Sequence, residues 1–451
     1  MLTRVALLIA FISAVALAQP KRILYVTHSA GFQHGSIPVS VEVLREIASR
    51  SGTLEVVATE DLSRISAEGL STFDAVLFFT SGELALNAAQ KTDLLNFVRR
   101  GNGFGGVHSA TDTFYSWPEY GELIGGWFDG HPWVQEVRID IEDPDHPAVR
   151  HLAPSFSVTE EIYQHRNFSR DRARVLMTLD TGTVDLSAAG VNRTDGDFAL
   201  AWVLPYGDGR VFYSALGHFD ETWRDERFQQ MLSNAMLWLT GQVEGSATPR
   251  PPAQPRIGSD AVGNAATMLP HGIISPGSLI SIYGENLTIG SAMAAGSAAG
   301  AQKLAGATVR IGGQIAPLFY ASPGQINGVA PFALEGQPCL NTATRCVQLD
   351  ISIPGVPAAT VLVGLAEKTP GIFAVTLTGR VATLWATGLG EVRQSVQLFD
   401  TVWRPTVLVN GMPGQVQFSG LAPGWVGLYQ VNVLLPPDTL PVSPLEFRFV
   451  D

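Results

Sequence analysis

Cysteine is scarce in this chain: the 451 residues include only Cys339 and Cys346, and none precedes them. Their spacing, with six residues between them, favours a local disulfide in an oxidising, exported compartment. Two unbonded thiols are the alternative. A metal site built on the pair is disfavoured, because no histidine lies near it in the sequence.

Clusters of basic residues are also missing. The chain has 29 Lys and Arg against 41 Asp and Glu, which gives a formal net charge of −12. Nucleic acids and anionic membrane surfaces attract positively charged patches, so this charge pattern argues against both as partners. The excess of negative charge mainly favours solubility.

Apart from its first residues, the chain has no apolar run long enough to cross a bilayer. Residues 1–18 carry one charge, Arg4, before an apolar run that ends in the small-residue pattern Ala16-Leu17-Ala18. This pattern predicts a secretory signal peptide and a mature chain that begins at Gln19. No cysteine stands at the cleavage point, as a lipoprotein would require. We therefore expect an exported protein, periplasmic or secreted, with no membrane span.

Histidine and proline are unevenly distributed, and their distribution divides the chain. Eight of the nine histidines precede Gly241, and a proline-rich segment without periodicity follows it. Such segments form semi-rigid linkers. Beyond it, short β-branched runs broken by glycine and proline replace helical periodicity. The predicted divisions are a signal peptide at 1–18, an α/β domain at 19–243, a linker at 244–257 and two β-sandwich repeats at 258–368 and 369–451.

The part of the chain before the linker alternates between apolar strands and amphipathic helices. Strands are predicted at 22–27, 54–58, 74–79 and 104–107, and helices at 39–50, 63–70 and 87–100. Such alternation predicts a parallel sheet covered by helices on both faces, which is a three-layer α/β fold. Further strands are predicted at 134–141, 173–179, 198–203 and 210–215, and a helix at 221–239.

Four histidines occupy positions where a functional site would form. His34, His108 and His218 each follow a predicted strand, and His131 lies in a glycine-rich loop. Ligands bind beyond the carboxyl ends of strands in open α/β sheets, so we expect these imidazoles to meet at one edge. All four are predicted ligands of a divalent metal such as zinc, and His108 and His218 are also predicted to be catalytic. Buried histidines bonded to backbone groups are the alternative.

Six short motifs occur in order between residues 31 and 218. They are Gly31–His34, Gly103–Ala110, Gly125–Pro132, Asp145–Pro147, Glu161–Tyr163 and Gly209–His218. Together they resemble the ThuA family, which is named for trehalose utilisation. The resemblance implies a flavodoxin-like fold related to the class I glutamine amidotransferases and a role in carbohydrate metabolism. It also supports a catalytic role for Glu161 as a carboxylate of the site.

The same resemblance excludes one activity. Class I glutamine amidotransferases present a nucleophilic cysteine at the turn after this strand, activated by a histidine. His108 occupies that position, and no cysteine precedes Cys339, so hydrolysis of glutamine through a thioester is not available. Ser109 follows His108, but no Gly-x-Ser-x-Gly pattern presents it as a nucleophile, so a serine hydrolase is disfavoured.

Aromatic residues accompany the histidines in the sequence and indicate a sugar ligand. Aromatic faces suit stacking on pyranose rings, while carboxylates bind hydroxyl groups. The predicted substrate contacts are Phe32, Trp127, Tyr163 and Asp112. The alternative is that the aromatic residues belong to the hydrophobic core.

The second half contains an internal repeat. Gly277–Leu287 is similar in pattern to Gly379–Leu389, and Ser322–Pro331 is similar to Pro423–Val433. Short alternating strands between Gly and Pro turns predict immunoglobulin-like sandwiches, and their spacing resembles the IPT/TIG type. Few titratable groups occur here. We therefore expect the repeats to act as spacers or as contacts to a cell surface or another protein.

Two functions are compatible with these features. The first is an exported enzyme of carbohydrate metabolism that acts on trehalose or a related keto-disaccharide, with a metal assisting hydrolysis or isomerisation. The second is a non-catalytic carbohydrate-binding or cell-surface protein on a degenerate amidotransferase-like fold. Alanine substitution of His108 and His218 would separate them, since only the enzyme would lose turnover.

Overall fold

A computed structural model describes residues 19–152, 154–267, 272–289, 293–339, 345–395, 398–437 and 446–450. The predicted signal peptide, residues 1–18, lies outside the described residues. Where the structure describes the chain, no helix combines the length and the apolar character that a membrane crossing needs.

Strands and helices alternate in the first half of the chain. In chain order they are β1 (Lys21–Val26), α1 (Ile37–Ser51), β2 (Leu54–Thr59), α2 (Ala67–Leu70), β3 (Ala75–Phe78), α3 (Ala88–Arg99), β4 (Gly103–Val107), α4 (Pro118–Ile124), β5 (Trp127–Phe128), β6 (Trp133–Ile141), β7 (Ser155–Ile162), β8 (His165–Arg166), β9 (Arg174–Leu179), β10 (Ala199–Tyr206), β11 (Gly209–Ser214), α5 (Asp220–Arg224) and α6 (Glu226–Leu239). Short 3₁₀ helices lie at Leu62–Arg64, His108–Thr111 and Thr181–Thr183.

The described part of the second half is built from strands. They are β12 (Arg256–Asn264), β13 (Ile273–Ile274), β14 (Leu279–Glu285), β15 (Met293–Ala294), β16 (Thr308–Ile311), β17 (Gln314–Ile315), β18 (Leu318–Ser322), β19 (Gln325–Val329), β20 (Gln337–Pro338), β21 (Arg345–Ser352), β22 (Ala359–Leu365), β23 (Gly371–Thr378), β24 (Val381–Thr387), β25 (Val392–Gln394), β26 (Phe399–Thr401), β27 (Thr406–Val409), β28 (Met412–Leu421), β29 (Tyr429–Leu434) and β30 (Phe447–Val450).

The chain divides into two compact units. The first comprises residues up to 124 together with 205–213 and 217–245. The second comprises residues 125–204, 214–216 and 246–451. The domain boundaries expected from the sequence, at 243 and 368, stay a prediction.

The first unit is organised around parallel strands. They lie in the order β2-β1-β3-β4, with β11 beside β4. Ile23 to Val26 of β1 are fully buried, and so is nearly all of β3. Such continuous apolar strands are typical of parallel sheets covered on both faces. The predictions of strands near residues 22, 54, 74 and 104 are confirmed.

The helices of the first unit agree with their sequence signals except at one point. Helix α1 has proline in its first turn and ends at Gly52, whose φ of 64° is a left-handed conformation that glycine adopts without strain. The predicted single helix at 221–239 is wrong, because the chain is extended at Asp225. The Asp225 side chain accepts a hydrogen bond from the backbone N–H of Arg227 and so begins α6 as its N-cap.

Residues 125–204 of the second unit contain antiparallel strands in the order β10-β9-β6-β7. The expectation of a parallel sheet is therefore correct for β1 to β4 and wrong for these strands. The β structure of residues 21–214 is mixed. Strand β7 is not predicted from the sequence, because most of its first residues are polar and only Glu160 to Ile162 are buried.

Charged groups are buried within the second unit. Arg170 pairs with Glu142 at 2.7 Å and with Asp197 at 2.8 Å, and all three side chains are less than one-tenth exposed. Lys303 is also buried, and its Nζ donates to the carbonyl oxygen of Leu179 at 2.9 Å. Burial makes isolated charges costly, so these groups depend on their partners.

The two repeat segments share one pairing order. In the first, β14 lies between β12 and β19, and β19 pairs with β18. In the second, β24 lies between β23 and β29, and β29 pairs with β28. All of these pairs are antiparallel. The pairing agrees with the internal repeat expected from the sequence, whereas an immunoglobulin-like identity stays a proposal.

The predicted disulfide is confirmed: Cys339 and Cys346 are bonded to each other. The bond lies beside the antiparallel pair of β20 and β21, where Gln337 faces Cys346. It therefore ties one end of β21 to the segment that precedes it.

Candidate metal centre

Three of the predicted histidines meet in the first unit. A ring nitrogen from each of His34, His108 and His218 lies within 4.8 Å of those of the other two. His108 Nε2 lies 3.2 Å from His218 Nδ1. His34 and His108 are buried and His218 is half-buried. The sequence prediction that these imidazoles converge is confirmed for these three.

His108 is held in an unusual backbone conformation at the end of β4. Its φ is 47°, in the left-handed region that costs a non-glycine residue about 1–2 kcal/mol. Its carbonyl oxygen accepts a hydrogen bond of 2.7 Å from the hydroxyl of Tyr213. The same hydroxyl lies 2.9 Å from Thr111 Oγ1, on the 3₁₀ turn that His108 begins. These contacts stabilise the turn that directs the imidazole.

The glycines of β4 make room for this turn. A Cβ at Gly106 would lie 2.9 Å from the Cβ of Ala110 and 3.1 Å from Cδ2 of Tyr213. A Cβ at Gly103 would lie 2.6 Å from the carbonyl oxygen of Leu239. Both distances at Gly106 are shorter than nearly all contacts of real Cβ atoms. The Gly-rich motif before His108 therefore reflects close packing against α6, β11 and the turn itself.

His34 and His218 are positioned by neighbouring loops. His34 Nδ1 lies 3.4 Å from the hydroxyl of Ser109, the residue after His108. The carbonyl oxygen of Gly217, next to His218, accepts hydrogen bonds from Ser36 Oγ at 3.0 Å and from Trp223 Nε1 at 2.8 Å. Gly217 has a φ of 126°, which a side chain would disfavour.

Main-chain hydrogen bonds join the loops that follow β1, β3 and β4 into one rim, which includes the loops of His34 and His108. The backbone N–H groups of Ala30 and Gly31 both donate to the carbonyl oxygen of Ser81, at 2.8 and 3.1 Å. Gly82 N–H in turn donates to the carbonyl oxygen of Asp112 at 2.7 Å. This rim carries Phe32, which is 63% exposed and lies edge-on to His34 with 4.8 Å between ring centroids.

Asp112 lies at the end of the 3₁₀ turn that starts at His108. Its Oδ1 accepts a hydrogen bond of 2.6 Å from the hydroxyl of Tyr115, which is partly exposed. Burial raises the pKa of Asp112 above its usual value, against the opposing effects of Tyr115 and His108. The carboxyl is thus half-buried beside the histidines and offers an acceptor for hydroxyl groups.

The remaining predicted site residues lie in the second unit. Glu161 is buried on β7, and its Oε1 lies 3.4 Å from Nδ1 of the partly exposed His131. Tyr163 is also buried, with its ring centroid 4.3 Å from that of Phe128, and Trp127 is half-buried. The metal role of His131 and the substrate roles of Trp127 and Tyr163 stay predictions.

Sequence reasoning missed one contributor to the cluster. Tyr213 lies inside the motif Gly209–His218, five residues before His218, but the sequence gives no sign that its hydroxyl reaches His108. The sequence feature that could have indicated it is its position near the end of a buried strand, five residues before His218.

Three imidazoles at this spacing suit a transition metal. Neutral imidazole is the commonest nitrogen ligand of zinc, and three protein ligands with an open fourth position are typical of catalytic zinc sites. The rings also stack edge to face, with centroids 4.7 to 5.3 Å apart.

Two solved structures described as ThuA-like proteins are similar to about half of this chain. The protein from Bacteroides uniformis ATCC 8492 is 21% identical, with 51% of this chain and 95% of the other covered and a TM-score of 0.42. The protein from Parabacteroides merdae ATCC 43184 is 21% identical, with 52% and 94% covered and a TM-score of 0.40. At these scores neither supports a conclusion about this chain.

A β-galactosidase from Bacillus circulans sp. alkalophilus is 12% identical, with 69% of this chain and 41% of the other covered and a TM-score of 0.33, which is also too low to support a conclusion. No curated protein matches the chain significantly. Residues 22–239 match the model of the ThuA family, described as trehalose utilisation, which confirms the predicted resemblance over that part of the chain.

Proposed function

We propose that the protein is an exported metalloenzyme of carbohydrate metabolism in which His34, His108 and His218 bind one divalent ion. Zinc is proposed as the first candidate ion, and the catalytic role of Glu161 stays the expectation given by the sequence. The observation that carries the proposal is the convergence of three imidazoles from three separate loops. Three neutral imidazoles are a donor set that suits a divalent ion.

The proposed substrate is a sugar with a carbonyl group, such as a keto-disaccharide related to trehalose. A bound zinc ion would supply Lewis acidity toward a carbonyl or a water molecule, which suits hydrolysis or isomerisation. The support for a sugar is the family match and the exposed ring of Phe32 on the rim. Phe32 would stack on a pyranose face, and Asp112 would accept hydrogen bonds from hydroxyl groups.

Glu161 is proposed as a catalytic carboxylate, with His131 as its neighbour. Their atoms lie 3.4 Å apart, and His131 is partly exposed while Glu161 is buried. A carboxylate beside an imidazole orients the ring. The contact therefore supports a role for His131 in orienting the Glu161 carboxylate, and its role as a metal ligand stays a prediction from the sequence.

Metal binding is the first test of this proposal. We expect wild-type protein stripped with a chelator to bind about one zinc ion per chain in a calorimetric titration. The double variant His108→Ala, His218→Ala should lose affinity by more than about 100-fold, more than the loss of an outer partner causes. His28→Ala is the matched control, because His28 lies on the same loop as His34 but its Nδ1 is 3.2 Å from the carbonyl oxygen of Glu60. Equal zinc affinity in all three proteins would overturn the metal centre.

Catalysis is tested separately with keto-disaccharides as substrates. We expect turnover by the wild type that chelation removes and added zinc restores. Binding of these sugars without turnover, unchanged in the double variant, would instead support the second candidate, a non-catalytic carbohydrate-binding protein. The exposed Phe32 ring is the observation that favours that candidate, since stacking on a sugar needs no metal.

A further inference from the structure

The backbone of His108 is held from outside its own loop. Its φ of 47° lies outside the range of a β-strand, so β4 ends here, and non-glycine residues rarely adopt it. Strained residues of this kind persist only where the surrounding structure fixes them. The carbonyl group of His108 is bonded from another element by the hydroxyl of Tyr213, which donates to it at 2.7 Å.

The position of Tyr213 is itself well determined. Its side chain is fully buried on β11, and Gly106 gives it room, because a Cβ there would approach Cδ2 of the ring to 3.1 Å. Its hydroxyl lies 2.9 Å from Thr111 Oγ1, and Thr111 Oγ1 also donates to the carbonyl oxygen of His108 at 3.4 Å. The hydroxyl therefore joins the first and last residues of the turn His108–Thr111.

The backbone conformation of His108 decides where its imidazole points. If the turn lost its anchor and φ of His108 relaxed away from 47°, the Cα–Cβ bond would turn relative to β4 and Nε2 would move away from Nδ1 of His218, which lies 3.2 Å from it. Ligand atoms must be placed to within about 0.5 Å for productive metal binding. A single buried hydroxyl can thus control the geometry of the cluster without touching a metal.

We propose that Tyr213 is a positioning residue of the metal centre, acting through the backbone of His108 to set metal affinity and coordination geometry. The proposal rests on the metal centre proposed above. A purely structural tyrosine would affect only the stability of the fold. Loss of the Tyr213 hydroxyl should in addition weaken metal binding and change the coordination geometry of the bound ion.

The test is Tyr213→Phe, which removes the hydroxyl and keeps the ring. We expect zinc and cobalt to bind about 10- to 100-fold more weakly than to the wild type, the range typical for loss of a group that orients a ligand. The visible absorption of the cobalt form should change in intensity, because the ligand arrangement is altered. Unfolding is measured in parallel in the presence of a chelator.

Tyr25→Phe is the matched control. Tyr25 is also fully buried in the first unit, and its hydroxyl makes a 2.7 Å hydrogen bond with Ser40 Oγ, away from the histidines. We expect it to lose a similar amount of stability while it keeps wild-type metal affinity and cobalt absorption. If Tyr213→Phe does not fold, Thr111→Val removes the second partner of the same hydroxyl and takes its place.

The outcomes separate the two proposals. If the wild type binds neither zinc nor cobalt, the metal centre itself is wrong. If the wild type binds them and Tyr213→Phe binds them with equal affinity and an unchanged spectrum, the metal centre stands and the positioning role of Tyr213 is wrong. Equal weakening by Tyr213→Phe and Tyr25→Phe would also overturn the positioning role, because it would reduce the effect to general stability.

Discussion

Glycine is required at position 106 because neighbouring side chains occupy the space that a Cβ atom would need. A Cβ there would lie 2.7 Å from Ile124 Cδ1 and 2.9 Å from Ala110 Cβ. The end of the isoleucine side chain can rotate, but the Cβ of Ala110 is fixed on the turn. We expect Gly106→Ala to lower the free energy of unfolding by about 1–3 kcal/mol, as overpacked cores do.

Urea unfolding in the presence of a chelator measures this loss. Gly35→Ala in the same unit is the control, since nothing lies within 4 Å of a Cβ at that position. A Gly106→Ala protein as stable as Gly35→Ala would mean that the turn after β4 adapts more readily than its contacts indicate.

The burial of His146 predicts that the free energy of unfolding depends on pH. It is buried, its Nδ1 accepts from the backbone N–H of Ala148 at 3.3 Å, and burial lowers its pKa from 6.5 to about 4. Between pH 6.5 and 4, His146 therefore binds a proton more readily in the unfolded state than in the folded state. Its contribution to stability is complete above pH 6.5 and is lost as the pH falls toward 4, by about 2 kcal/mol at pH 5.

His146→Asn should remove this part of the acid sensitivity, because an amide oxygen can replace Nδ1 as an acceptor and does not titrate. The measurement is the difference in unfolding free energy between pH 7 and pH 5, which should shrink relative to the wild type. His151→Asn, at an exposed position nearby, should keep the wild-type difference. An unchanged difference in His146→Asn would show that other groups cause the acid sensitivity.

At the scale of elements, strands and helices were predicted correctly where the hydrophobic pattern of the sequence matched the burial of the residues. The strands β1, β3 and β4 are almost entirely buried, so their apolar runs identified them. Strand β7 pairs along its length with β6, but the first five of its residues are exposed or half-buried and mostly polar, a pattern that is also typical of a loop. The break between α5 and α6 was missed because apolar periodicity continues through Asp225, whose role as an N-cap depends on local geometry.

The disulfide belongs to this scale, since it holds one end of β21. Its cysteines are seven positions apart, and closing so short a loop stabilises a chain by about 2–3 kcal/mol through the entropy of the unfolded state. We expect Cys339→Ser, Cys346→Ser to lose about this much in urea unfolding. A reducing agent should lower the wild type to the same level and leave the double variant unchanged. A wild type unaffected by reduction would contradict the prediction.

At the scale of the whole molecule, the sequence predicted the resemblance of residues 22–239 to the ThuA family and the convergence of three histidines. His34, His108 and His218 could be predicted because strand ends of a parallel sheet meet at one edge. The grouping of residues 125–204 with 246–451 in one compact unit could not be predicted. It involves buried charges such as Lys303, and a lone lysine in a β-rich segment gives no sign of its partner.

Lys303 also has a consequence for how the protein is handled. Burial lowers its pKa, while Asp140 and Asp180 oppose that effect, and burial together with Asp180 raises the pKa of Asp140 to about 6. A fragment cut at the linker would remove the Lys303 ammonium from these two carboxylates and from the carbonyl of Leu179, and would leave Arg138 as the cation beside Asp140 and Asp180. Truncation there would expose acidic groups that the intact polypeptide neutralises, so the full-length chain is the form in which its chemistry should be measured.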